Sequence, residues 1–235
     1  MSESGDDLTF SADDFSGRVR LFPLPNLVLF PHVIQPLHIF EPRYVDLLHD
    51  AIEDDRLITM AILRPGWQNN YEGRPSIANF ACLGRILTWH ALPDRRYNLL
   101  LLGVRRVRIA HELPAARLFR EADVELVEDR YCGAGSECRR ELQLELVSVF
   151  RRAMPEVCDA EELLSHLSVD TVSLGTLTDV IAYALDLDLC AKYELLAEPD
   201  VDKRARWLLG HLKSSVAERC QVSVAAGFPP SFSSN

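Results

Sequence analysis

The side chains with most to offer chemically are arginines. Between Arg85 and Arg120, eight of them (85, 95, 96, 105, 106, 108, 117 and 120) stand against only Asp94 and Glu112, in a chain of formal net charge −10. A guanidinium cluster of this density could hold an acidic peptide, a phosphate or RNA through charge-assisted, bidentate hydrogen bonds. Arg85, Arg106 and Arg108 are the candidate anion-binding set, and Trp89 and Tyr97 are the aromatics close enough in sequence to stack on bases. In the opposing reading, the arginines decorate the solvent side of a strand meander and pair with acidic residues elsewhere. The acidic total favours that reading, since it disfavours nucleic acid and anionic membranes as general partners.

Other reactive residue types are present without the spacing that chemistry needs. Histidines 32, 38, 49, 90, 111, 166 and 211 are dispersed, and no cysteine or carboxylate accompanies His32 and His38 in a metal-ligand pattern. Cysteines 82, 132, 138, 158, 190 and 220 form no C-x-x-C pair, and the five residues between Cys132 and Cys138 are not zinc spacing. None of the three lysines (192, 203 and 213) follows a glycine, so the phosphate-cradling G-x-x-x-x-G-K-[ST] loop is missing, as are HExxH and G-x-S-x-G. The expectation is a protein without catalytic residues, metal or cofactor, which is not an enzyme. Its first residues, MSESGDDLTFSADDFSG, are acidic and polar where a signal peptide is basic and then apolar. No apolar run approaches the roughly 20 residues of a membrane span. A cytoplasmic location with no membrane partner is expected.

The elements that would position these residues start in Leu21 to Tyr44, LFPLPNLVLFPHVIQPLHIFEPRY. Two short apolar runs, 19–24 and 27–30, are each cut off by proline and read as short edge strands or strand ends. Pro36 to Phe40 reads as a turn leading into a helix that opens on Pro42, where a missing N–H costs nothing. Tyr44, Leu47, Leu48, Ala51 and Ile52 then fall on one helical face, and the helix ends near Asp54. Residues 57–63 form a continuous apolar run of strand length, buried on both faces. Residues 64–75 are a loop carrying Trp67 and Tyr71, which either contact a partner or cover the local core. Residues 80–92 and 97–109 make a hairpin with Gly84 at a bulge, and 118–127 a further strand. Along 105–109, Val107 and Ile109 share one face while Arg106 and Arg108 share the other.

A polar, glycine-containing stretch at 128–136 then marks a boundary, beyond which the apolar period changes from two to 3.6. Leu142, Leu146, Val149, Phe150 and Ala153 stripe one helix, and Leu163, Leu164 and Leu167 a shorter one. Leu177, Val180, Ile181, Ala184 and Leu185 stripe a third. Asp188 and Asp200 can cap a fourth and a fifth. The expected organisation is a disordered acidic arm at 1–17 (unless Phe10 and Phe15 pack on the body), a β-rich domain at 18–130, a helical bundle at 137–220 and a flexible tail at 221–235.

The opening stretch, prolines included, resembles the start of the Lon protease N-terminal, substrate-binding domain, most closely in proteins that carry that domain without the ATPase and peptidase domains. The likeness continues through Leu83-Gly84-Arg85-Ile86 and Gly103 to Ile109. It extends into the helical half through Asp179, Ala182, Leu185, Leu187, Asp188, Lys192, Leu195, Leu196, Glu198, Arg204 and Leu208. About residues 19–213 are covered. The resemblance implies an α+β fold: an N-terminal β-rich, PUA-like pseudo-barrel with one amphipathic helix, followed by a C-terminal helical bundle. It also implies a non-catalytic module for unfolded or extended polypeptide, acting as adaptor or chaperone-like regulator, with a protease or chaperone as a further partner. No stretch resembles the surroundings of the Lon serine–lysine dyad, and Ser214 and Ser215 beside Lys213 read as a helix end. Phe30, Phe40, Tyr44, Trp67 and Tyr71 are the expected peptide-binding rim, beside short edge strands with unpaired backbone groups. The alternative function is recognition of RNA or a small anion through the arginine-rich strand 103–109.

Overall fold

Period-two stretches become the strands of one mixed sheet, and 3.6-period stretches become helices. The computed structural model describes residues 10–13, 15–71, 73–131, 135–153 and 172–225. The strands are β1 (Arg18–Leu24), β2 (Ile34–Ile39), β3 (Leu57–Ile62), β4 (Phe80–Leu92), β5 (Arg96–Glu112) and β6 (Arg120–Val127). The helices are α1 (Pro42–Glu53), α2 (Ser136–Ala153), α3 (Leu174–Ala184), α4 (Leu189–Ala197) and α5 (Val201–Ala225). The expected helix over 163–167 lies outside the described residues, as do Cys132, Cys158 and residues 226–235 of the expected tail.

The strand order is β2-β5-β4-β3-β1-β6, and β5 also pairs with β6, so five strands close on themselves while β2 hangs on the first half of β5. β1 and β3 are parallel, and the other pairs are antiparallel. All six residues of β3 are buried, as a central strand covered on both faces requires. The β core gathers Val19, Leu21, Leu57, Leu83, Val107 and Val124 among others, with Phe10 and Phe15 packed against it. On α1, Tyr44, Leu47, Leu48 and Ala51 are buried, the face that the spacing predicts.

The second strand differs from expectation. Residues 27–30 form no strand: Val28, Leu29 and Phe30 are all buried, without the alternation a strand imposes. The strand is instead Ile34–Ile39, with Pro36 inside it, because a strand with one partner tolerates a residue that cannot donate outward. Its register is held by a close backbone approach at Gly103. Gly103 donates to Val33 O at 2.9 Å and accepts from the His32 N–H at 2.7 Å. A Cβ at Gly103 would sit 2.0 Å from the Phe30 carbonyl oxygen.

The described residues divide into two compact units, one drawn from Met1–Arg130 and Ala182–Pro199, the other from Tyr131–Ile181 and Asp200–Asn235. Residues 182–199, which the helical period groups with the bundle, therefore belong with the β-rich unit. There the Phe80 N–H donates to Tyr193 Oη at 3.3 Å, and α4 is capped by Asp188, which accepts from the Ala191 N–H at 2.8 Å. In the other unit α2 and α5 pack together through Leu146, Phe150, Ala205, Leu208 and Leu212, among other buried residues. Arg204 is buried there beside Asp179, at 3.9 Å.

Candidate functional site

Two of the five expected rim residues are core residues. Phe30 is 0% exposed. Tyr44 is buried edge-on against Phe22 at 4.3 Å between centroids, and its hydroxyl donates to Pro23 O at 3.3 Å. Neither can touch a peptide: Phe30 ends the buried 28–30 segment, and α1 turns its apolar face, Tyr44 included, into the β unit. Trp67 and Tyr71 are half-buried, 5.5 Å apart edge-to-face, and pack against the β core. Phe40 alone of the set is freely exposed, at 61%.

The Glu41-Pro42-Arg43-Tyr44 segment explains why the aromatic loop is held down. Tyr71 Oη donates to Glu41 Oε1 at 2.7 Å, and Arg43 donates to Glu41 Oε2 through Nε at 3.0 Å and Nη2 at 2.8 Å. The Arg43 guanidinium lies 4.7 Å from the ring centroids of both Tyr44 and Tyr71. Burial first, then the Glu41 carboxylate, pushes the Tyr71 phenol above its ordinary pKa, and burial does the same to Tyr44. These side chains clamp the loop to the start of α1.

The arginine cluster does not assemble into an open anion face. Arg106 is 3% exposed. Its Nε donates to Leu196 O at 3.0 Å, and its Nη1 lies 3.3 Å from Asp129. Arg108 is exposed and pairs with Glu125. Arg85 stands three residues along β4 from Cys82, the partner of Arg106, and therefore faces the opposite side of the sheet. Arg120 is buried against Glu112 at 2.6 Å, and Arg117 bonds Asp50. The expected set of Arg85, Arg106 and Arg108 is thus split by burial and by the pleat, and the acids that answer the cluster lie mostly within the β unit.

What the β unit does expose is a groove without charged side chains where β2, β5 and β4 run beyond the closed strands, next to the row of Ile34, Leu102 and Arg85. Residues directly opposite one another share a face. The cross-strand rows here are Pro36, Leu100 and Thr88, then His38, Asn98 and His90. Ile34 (49% exposed) and Leu100 (39%) form the apolar part, and the His38 ring leads on to Phe40 at 5.9 Å between centroids. A groove of about 640 Å³ opens here, lined by these two rows together with Leu37, Trp89 and Leu99. Trp89 stands opposite Leu99 and so projects to the other side of the sheet from Leu100, where the Arg56 guanidinium lies 5.7 Å from its ring centroid. No carboxylate, lysine or arginine lines it. His38 Nδ1 and Asn98 Oδ1 lie 2.7 Å apart, so the polar edge of the face is ordered.

The sequence carries a signal for this face in Leu99-Leu100-Leu101-Leu102, a run that leaves both sides of β5 apolar. Leu99 and Leu101 enter the core, while Leu100 is left outside. Among the described residues, no group of three or more His, Cys, Asp or Glu side chains is placed to hold a metal ion, and no helix is long and apolar enough to cross a membrane.

Comparison with known proteins adds to this geometry. The ATP-dependent protease La (LON) substrate-binding domain family matches residues 18–214. Lon protease 2 of Myxococcus xanthus is 24% identical over 197 residues, 84% of this chain and 24% of its own. The Lon protease of Salinispora arenicola is 30% identical over 204 residues, 85% of this chain and 24% of its own. The chain thus spans about a quarter of the length of such relatives, within their substrate-binding domain and apart from their peptidase. The N-terminal domain of Mycobacterium avium complex Lon protease superimposes with a TM-score of 0.65 at 18% identity, covering 83% of this chain and 98% of that one. A Lon N-terminal domain protein from Xanthomonas campestris gives 0.61 at 23% identity, covering 82% and 97%.

Proposed function

This chain belongs to the LON substrate-binding domain family, and from that premise we propose that it is a non-catalytic module that binds extended polypeptide on the β2-β5-β4 face. The observation that carries the reading is the contrast between that face and the rest of the chain. In a protein of net charge −10 the groove has no charged side chain in its lining, yet Leu100 at its centre is exposed, and so is Ile34 beside it on β2. An exposed apolar patch with a polar rim is the usual chemistry of a protein-binding surface. An unfolded polypeptide exposes the Ile, Val, Leu and Phe side chains that folding mostly buries. Acting this way, the module is an adaptor or chaperone-like regulator that holds segments for a protease, with cytoplasmic polypeptides as its ligands. Recognition of RNA or a small anion has weaker support, because Arg106 is buried and Arg108, Arg117 and Arg120 are paired with carboxylates.

The test is fluorescence anisotropy of the protein against a labelled unfolded polypeptide and a labelled RNA oligomer across a salt series. Expected is polypeptide binding with shallow salt dependence that weakens about tenfold in Leu100→Glu, a charge placed in an apolar contact. Salt-steep RNA binding with no polypeptide binding would refute the reading.

A further inference from the structure

Resting on that reading, we infer that the polypeptide is held by its side chains across the sheet face and is not added as an extra strand. An exposed edge strand ordinarily invites strand addition through unpaired N–H and C=O groups. Here the free edge of β2 is interrupted at its middle by its own residues. The Gly103 N–H bonds Val33 O, and the register runs on from Ile34↔Leu102 to Ile39↔Tyr97. By the alternation of an antiparallel ladder, Gln35, Leu37 and Ile39 turn their backbone groups toward β5, and Ile34, Pro36 and His38 turn theirs outward. The central outward residue is therefore a proline, which has no N–H to give.

Its carbonyl is occupied as well. Gln35 Nε2 donates to Pro36 O at 2.9 Å, and Gln35 Oε1 accepts from Tyr183 Oη, also at 2.9 Å. Tyr183 is held in turn by Lys192, whose Nζ donates to the Tyr183 carbonyl at 3.1 Å. An incoming strand would meet a missing donor and a capped acceptor at the middle of the edge. The sheet's other free margin, β4 past Ile86, starts at the register shift between Ile86 and Thr88, a bulge of the kind that ends pairing. Between these two blunted margins lies the open face with Leu100 at its centre.

The consequence is a ligand class. The module selects segments by apolar and aromatic side chains, with little regard for backbone direction or hydrogen-bonding capacity. The probe is a fluorescein-labelled synthetic peptide of alternating phenylalanine, leucine and serine, compared with the same side chains on an N-methylated backbone. Expected affinities for the intact protein agree within about twofold, whereas strand addition would lose about tenfold or more with its main-chain hydrogen bonds. A Pro36→Val variant supplies the missing donor, and it is expected to raise affinity for the unmethylated peptide alone. Binding of the unmethylated peptide with loss of the N-methylated one overturns the inference and leaves the function standing. Binding of neither overturns both.

Discussion

Tyr71 donates its phenol hydrogen to the Glu41 carboxylate across 2.7 Å, joining the aromatic loop to the N-cap of α1. Tyr71→Phe removes one partly buried, charge-assisted bond and is expected to cost about 1 kcal/mol in urea unfolding. The same contact has a pH signature. Tyr71, Tyr44 and Tyr183 are all raised above the ordinary phenol pKa, with burial the main cause in each. A raised folded pKa gives stability that is complete below the unfolded value of about 10 and is lost as pH rises through the folded one. Stability is therefore expected to fall above about pH 10, less steeply in Tyr71→Phe, as followed by circular dichroism across the alkaline range.

Acid acts through Arg20, which is 10% exposed at its side chain and bonds Asp50, Asp54 and Asp55. Burial pushes Asp50 upward, but hydrogen bonds from Arg20 and Arg117 outweigh it and hold the carboxyl below its usual pKa. A depressed folded pKa gives stability present above the unfolded value of about 3.9 and lost as pH falls through the folded one. Arg20→Met is expected to destabilise by about 2 kcal/mol at neutral pH. The gap from the parent narrows as pH drops below about 4, which parallel denaturant curves at two pH values would read.

Gly103 is where β5 passes closest to the 27–33 segment, and there is no room for a methyl group beside the Phe30 carbonyl. Backbone cannot swing aside as a side chain can, so Gly103→Ala is expected to cost at least about 2 kcal/mol, seen as a lowered thermal midpoint.

Arg106 and Arg108 alternate with core residues on β5 yet differ in burial. Arg106→Ala removes a buried guanidinium and its bonds to the Leu196 carbonyl and the partly exposed Asp129, an expected loss of about 3 kcal/mol. Arg108→Ala is expected to change stability by no more than about 0.5 kcal/mol. Chemical unfolding of the two variants side by side checks both values.

That last pair shows what was legible in the sequence. The hairpin β4–β5, the fully buried β3 and the apolar face of α1 could be read because period and turn chemistry are local. So could the caps at Asp188 and Asp200, where side chains bond the N–H groups of Ala191 and Lys203. Arg106 has the strand parity of a solvent-facing residue, and its cover comes from Leu196, 90 positions away, which no local pattern encodes. Pro36 reads as a breaker because its tolerance depends on β2 having a single partner, a fact of topology. Phe30 and Tyr44, expected on the rim beside the short edge strands, are buried by tertiary packing that no local pattern encodes. The open face was within reach through the four-leucine run, once both sides of β5 are seen to be apolar while only one is covered.

The central claim is tested most directly by an NMR titration of the Ile and Leu methyl-labelled protein with a reduced, unfolded polypeptide. The expected result is that the Ile34 and Leu100 methyls shift together, while the Trp67 indole and the Leu146 and Leu208 methyls stay in place. Shifts centred on Trp67, or on the α2 and α5 methyls with Leu100 unmoved, would contradict it.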